Sequence, residues 1–158
     1  MLGFLHGQKE TPRQNMLQKL ALFSTLSRIE LHVIDSLLHE RRFLKGEIIF
    51  DQGEEGQALY VVIAGRVLIC RQGEPETGKI TEINAGGVFG EIALLDNLPR
   101  ALQARAAADC VLASMSRGDL ESLLDTHAVI ASKFLLQLAL YLSRQLIDLT
   151  AMVEGNRL

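Results

Sequence analysis

The chain has 158 residues, of which 48% are apolar and 22% charged, and a formal net charge of −3. This balance excludes a disordered chain and suits one domain large enough to bury a core, and the net negative charge does not favour nucleic acid or an anionic membrane. Two cysteines, Cys70 and Cys110, have no CxxC spacing; they are too few for a disulfide framework and read as thiols of a reducing cytosol.

The opening, MLGFLHGQKETPRQN, has no basic leading region and only a short apolar part, so it is not a secretory signal; residues 1–13 are assigned to an N-terminal tail. From Gln14 to Leu38 the pattern is helical: Met16, Leu17, Leu20 and Phe23 recur at three and four. Ser27 with Glu30 three residues on predicts a capping box, followed by Ile29, Val33, Ile34, Leu37 and Leu38 at helical spacing.

From Glu40 to Ser116 the texture changes to short Val-, Ile-, Leu- and Tyr-rich runs punctuated by glycines at 46, 53, 56, 65, 73, 78, 86, 87 and 90. Such spacing predicts an all-β sandwich or barrel. The expected strands are Glu40–Leu44, Glu47–Phe50, Ala58–Ala64, Arg66–Arg71, Lys79–Asn84, Leu102–Ala107 and Cys110–Ser116. Gly65 between YVVIA and RVLIC predicts a tight hairpin, and QGEPETGK a surface loop.

After Arg117 the helical period returns, with a short helix over Arg117–Leu124 and a long one from His127 to about Glu154. Its apolar stretch from Val129 to Leu142 is interrupted by Ser132, Lys133 and Gln137 and falls short of the ~20 apolar residues of a membrane span. Leu135, Ala139, Leu142, Leu146, Leu149 and Val153 step by 4, 3, 4, 3, 4, a heptad seam that predicts pairing with a second copy. The division expected is therefore the tail 1–13, a barrel with its N-terminal helices over 14–126, and a long helix over 127–158.

Residues 89–101 read FGEIALLDNLPRA and place one acid, Glu91, nine residues before Arg100 in apolar company. The preceding NAGGV predicts a glycine-rich turn leading into a short helix, whose first backbone N–H groups suit an anion. Arg100 supplies a permanent charge and a fork of donors for phosphate oxygens, Pro99 stiffens its approach, and Glu91 can accept from a sugar hydroxyl. The plainer alternative is an ion pair between Glu91 and Arg100 at a barrel rim. His6, His32, His39 and His127 lie outside the predicted strands and form no HxH or HxxxH pair, so no metal site is expected. Asp96 beside Asn97 reads as a turn, and no GxSxG elbow or serine–histidine–acid set is in view; the chain is expected not to be an enzyme.

GEIIFDQGEEGQALYVVIAGRVLI followed by FGEIALLDNLPRA resembles the cyclic nucleotide-binding domain family, over about residues 14–155. That family includes catabolite activator proteins, regulatory subunits of cyclic-AMP-dependent kinase and cyclic-nucleotide-gated channels. The resemblance implies a mainly β fold with flanking helices: a double-stranded β-helix, or jelly-roll, barrel with N-terminal helices and a long C-terminal helix. It implies that Arg100 binds the cyclic phosphate, that Glu91 binds the ribose 2′-hydroxyl, and that Gly90, Ile92 and Ala93 offer backbone contacts. Ala101 after the arginine tilts the ligand towards cyclic AMP, and Gln145 on the long helix is the implied base contact, with ligand entering between the cassette and that helix.

The sequence departs from the family pattern at Leu102, where a small residue is common, and at Gln103, in place of Thr or Ser. Strand alternation would turn Leu102 to the side of Arg100 and narrow a pocket there. The expectation is a cytoplasmic, homodimeric, non-catalytic sensor of cyclic AMP or another cyclic nucleotide that binds neither nucleic acid nor membrane by itself. Its rivals are an interaction module with a degenerate cassette and the sensor half of a DNA-binding regulator, whose helix-turn-helix would begin about where the chain ends.

Overall fold

The computed structural model describes residues 10–155. The assigned tail over 1–13 and His6 thus lie wholly or largely outside the described residues, as does the end of the 127–158 segment. The described chain forms two compact units: residues up to Val33 with those from Leu123 onward, and Ile34–Ser122.

The β unit holds eight strands in two four-stranded antiparallel sheets. These are β1 (His39–Phe43), β2 (Ile48–Phe50), β3 (Ala58–Ala64), β4 (Arg66–Cys70), β5 (Lys79–Asn84), β6 (Val88–Phe89), β7 (Gln103–Ala106) and β8 (Cys110–Ser116). One sheet runs β1-β8-β3-β6 and the other β2-β7-β4-β5, the double-sheet jelly roll expected. Gly65, at a φ of +88°, turns the chain tightly between β3 and β4, but the hairpin expected there does not form: the two strands are not paired, and β3 enters one sheet and β4 the other. Alternation along the strands turns one set of side chains inward. Tyr60 and Val62 of β3, Val67 of β4, Phe89 of β6, Ala104 and Ala106 of β7, and Cys110 and Leu112 of β8 form the buried core between the sheets.

Strand limits differ from expectation by one residue at β1, β2 and β4, and His39 is the first residue of β1 rather than lying outside the strands. β6 was not expected: two residues are too few to show a period, and it exists because Tyr60 and Val61 of β3 pair with Phe89 and Val88. β7 begins at Gln103, since Ala101 and Leu102 form a bend before it. A short helix, α3 (Ile92–Leu95), follows β6 within this unit.

The helical unit starts with α1 (Pro12–Gln18), a 3-10 turn (Ala21–Phe23) and the first part of α2 (Arg28–Leu37). Two reciprocal capping boxes set the starts. Thr11 and Gln14 cap α1; at α2 the Glu30 N–H donates to Ser27 Oγ at 3.2 Å and the Ser27 N–H to Glu30 Oε1 at 2.9 Å, as predicted. Helix α4 (Arg117–Thr126) spans the boundary and leads to α5 (Ala128–Gly155). Helix α5 buries Ile130, Ala131, Phe134 and Leu138. Phe134 stacks on Phe23 with ring centroids 5.8 Å apart, and Lys133 Nζ donates to both Glu30 oxygens at 2.9 and 3.0 Å. Among the described residues no helix is long and apolar enough to cross a membrane.

Candidate functional site

The segment around Arg100 is fixed by backbone before any side chain is considered. The Arg100 N–H donates to the Glu54 carbonyl and its carbonyl accepts from the Gly53 N–H, both at 2.8 Å. Pro99, which has no N–H to give, forms an isolated bridge with Glu55. The cassette's arginine is thereby locked to the turn between β2 and β3, a long-range contact that stiffens it as Pro99 alone could not.

The side chain then enters a cradle. Nη2 donates to the Ala58 carbonyl at 2.8 Å and Nη1 to the Gly90 carbonyl at 3.2 Å. The guanidinium lies 4.0 Å from the Phe50 ring centroid and 5.9 Å from that of Tyr60. Phe50, Tyr60 and Phe89 form one aromatic cluster with centroids 5.1–6.0 Å apart, so the cation rests on the top of the barrel core. Nε is buried without a hydrogen-bond partner. Burial pushes the guanidinium down from its ordinary range, while Tyr60, Glu91 and Glu54 pull it back up; arginine stays charged at any working pH.

Two glycines make the cradle possible. A Cβ on Gly90 would stand 2.7 Å from Arg100 Nη1, and Gly90 has a φ of +72°, where side chains are rarely tolerated. A Cβ on Gly56 would meet the Ala93 Cβ at 2.9 Å and Arg100 Nε at 3.3 Å.

Glu91 is the N-cap of α3. It is partly buried, and burial pushes its carboxyl above the usual carboxylate range; its own backbone N–H and the charge of Arg100 pull the other way but do not prevail. Glu91 and Arg100 do not form an ion pair, which removes the plainer reading of the two residues. Of the backbone groups expected to contact ligand, Ile92 and Ala93 lie in α3, and the Ala93 N–H donates to the Gly90 carbonyl at 3.2 Å. Ala101 is exposed in the bend after Arg100, and Gln145 is exposed on α5, in the helical unit.

Arg100 also lines a cavity of about 370 Å³ with Phe50, Glu54, Gln57, Tyr60 and Ser114 among others; neither Glu91 nor Leu102 lines it. Leu102 is half-buried in the bend before β7. Gln103 points away from the core that Ala104 and Ala106 enter. It is 1% exposed, donates from Nε2 to Asp51 Oδ1 at 2.8 Å and accepts from Arg105 Nε at 2.5 Å and Cys70 Sγ at 3.5 Å. Its role is to tie the end of β2 to β4 and β7 behind the barrel wall. Both cysteines are buried and unbridged.

The sequence and the fold have known relatives. The profile of the family described as the cyclic nucleotide-binding domain matches residues 40–127, more than half of the chain. A cAMP-dependent protein kinase regulatory subunit of Blastocladiella emersonii is 34% identical over 108 residues, covering 67% of this chain and 27% of that protein. The structure of the Thermus thermophilus catabolite activator protein superimposes with a TM-score of 0.68 at 30% identity, covering 84% of this chain and 63% of that one. A cyclic nucleotide-binding domain from Methylobacillus flagellatus shares the fold with a TM-score of 0.77 at 22% identity, covering 92% and 82%. The chain belongs to the cyclic nucleotide-binding domain family. It spans about a quarter of the length of the kinase regulatory subunit it matches.

Proposed function

We propose that this chain is a non-catalytic sensor whose ligand is a cyclic nucleotide, cyclic AMP in the first place. The observation that carries the reading is the Arg100 cradle: a half-buried guanidinium held by two backbone carbonyls over an aromatic cluster, beside the start of α3, whose N-cap is Glu91. In this reading the cyclic phosphate meets Arg100, and the ribose 2′-hydroxyl donates to Glu91. Gly90, Ile92 and Ala93 contribute backbone contacts, with Ala101 alongside. Family membership supports these roles, and the cyclic AMP dependence in the name of the kinase relative supports the choice of ligand. The assignment of Gln145 to the base rests on the family resemblance.

Two copies pair through the second half of α5 in this reading. Leu146, Leu149 and Val153 of the heptad seam are 66%, 58% and 54% exposed, with Ile147 and Met152 beside them, an apolar stripe that a second helix would cover.

The deciding experiment is a calorimetric titration of nucleotide-stripped protein and its Arg100→Ala variant with cyclic AMP. A hydrogen bond to a charged group contributes ~1.5–3 kcal/mol, so the variant should bind roughly 10- to 150-fold more weakly. Equal affinity in the two proteins would remove Arg100 from the site.

A further inference from the structure

Arg117, the first residue of α4, was not marked out by any sequence motif. Its half-buried guanidinium donates from Nη2 to the carbonyls of Ala93 at 2.5 Å and Asp96 at 2.7 Å, and from Nη1 to Asn97 Oδ1. These acceptors lie in the last turn of α3 and just beyond it, where carbonyls have no donor within the helix. The backbone N–H of Arg117 donates to the Gln57 carbonyl at 2.9 Å. Gln57 precedes Ala58, whose carbonyl holds Arg100.

The start of α4 is itself fixed. The Asp119 N–H donates to Ser116 Oγ at 3.0 Å and the Ser116 N–H to Asp119 Oδ2 at 3.1 Å. The same carboxylate oxygen lies 3.2 Å from His39 Nε2 of β1. Arg117 therefore stands on an anchored residue and grips both walls of the Arg100 cradle: α3 by its side chain, and the Gln57–Ala58 segment by its backbone.

We propose that Arg117 is a positioning residue for the nucleotide site, holding α3 so that Gly90 and Glu91 keep their place beside Arg100. The effect on ligand rests on the function proposed above; the brace itself does not. Methionine keeps much of the apolar stem of Arg117 without the fork, and lysine keeps the charge but cannot reach three acceptors in one plane.

The test compares the protein with its Arg117→Met and Arg117→Lys variants, first by hydrogen exchange without ligand and then by titration with cyclic AMP. In Arg117→Met, amides over residues 92–98 should exchange about 10-fold faster or more while those of β4 and β5 keep their rates, with Arg117→Lys between the two. Cyclic AMP affinity should fall by about 5-fold or more in Arg117→Met and recover in part in Arg117→Lys. Unchanged exchange over 92–98, acceleration spread evenly through the barrel, or local acceleration with unchanged affinity would each overturn the proposal. If the parent protein takes up no cyclic AMP, the proposed function fails, and the exchange comparison alone decides the brace: local acceleration supports it, and unchanged or uniform rates sink it.

Discussion

Glu91 and Arg100 influence each other's charge without forming an ion pair, and in the proposed site the burial of Glu91 sets a pH dependence. The Glu91 carboxyl is held above the usual carboxylate range by burial. In the proposed site a ribose hydroxyl donates to the ionised form, so ligand would lower the carboxyl's pKa and binding would favour the carboxylate. The sign follows: cyclic AMP affinity is full above the raised pKa of the free protein and declines as pH falls through it, at values above the ordinary ~4.3 of glutamate. Glu91→Gln should bind more weakly at neutral pH and flatten this slope. A titration series showing the same slope in both proteins would take the ribose contact away from Glu91. Gly56 gives a second handle, because its φ is ordinary and an added Cβ acts by bulk alone, against Ala93 and Arg100. Gly56→Ala should lower stability by about 1–3 kcal/mol through overpacking, and lower nucleotide affinity with it. A thermal midpoint and affinity both at parental values would show that the cradle is softer than the 2.9 Å approach implies. Glu91 and Arg100 were legible in the sequence because their chemistry is carried by side chains nine residues apart in one short motif. The cradle was not: Ala58 lies 42 positions from Arg100 and contributes a carbonyl, a group that any residue carries. Phe50, Gly56 and Arg117 were unreadable as well, since only the fold brings them to the motif.

Among the elements, the ones that announced themselves were those with a strong local period or a cap. The Ser27–Glu30 box is formed as its spacing predicts, and β3, β5 and β8 run over the expected residues. The two-residue β6 has no period to read, and β7 is shortened by the bend at Ala101 and Leu102. Gln103, a departure from the family pattern, faces away from the core and serves the wall, through Asp51, Arg105 and Cys70. The α2 cap carries its own prediction. Glu30 is held below its ordinary range, first by its hydrogen bond from Lys133 and then by the Ser27 N–H. A carboxylate with a lowered folded-state pKa stabilises at neutral pH, and this contribution is lost as pH falls through that lowered value. Glu30→Gln should therefore cost about 1 kcal/mol at pH 7, from the weakened cap and a partly exposed ion pair. The gap between the two proteins should close below the usual glutamate range. Urea midpoints at pH 7 and pH 3 test this; a gap that persists undiminished at pH 3 would contradict it.

On the scale of the whole molecule, α5 divides in character along its length. Its first half buries Ile130, Ala131, Phe134 and Leu138, whereas every residue from Ser143 to Gly155 is exposed. An apolar seam in that exposed half is what a second copy would cover, and the heptad steps were visible in sequence because they are local. Leu146→Glu with Leu149→Glu should sediment as a monomer where the parent sediments as a dimer; a variant that remains dimeric would place any pairing surface elsewhere. The central claim concerns the ligand, and its most direct test is the titration of nucleotide-stripped protein with cyclic AMP and then cyclic GMP. The account predicts saturable binding of cyclic AMP, on the order of micromolar, weaker binding of cyclic GMP, and loss of affinity in Arg100→Ala. Absence of heat with either nucleotide at two temperatures, so that a vanishing enthalpy at one of them cannot mask binding, would contradict it and leave the cassette as architecture for a protein-interaction module.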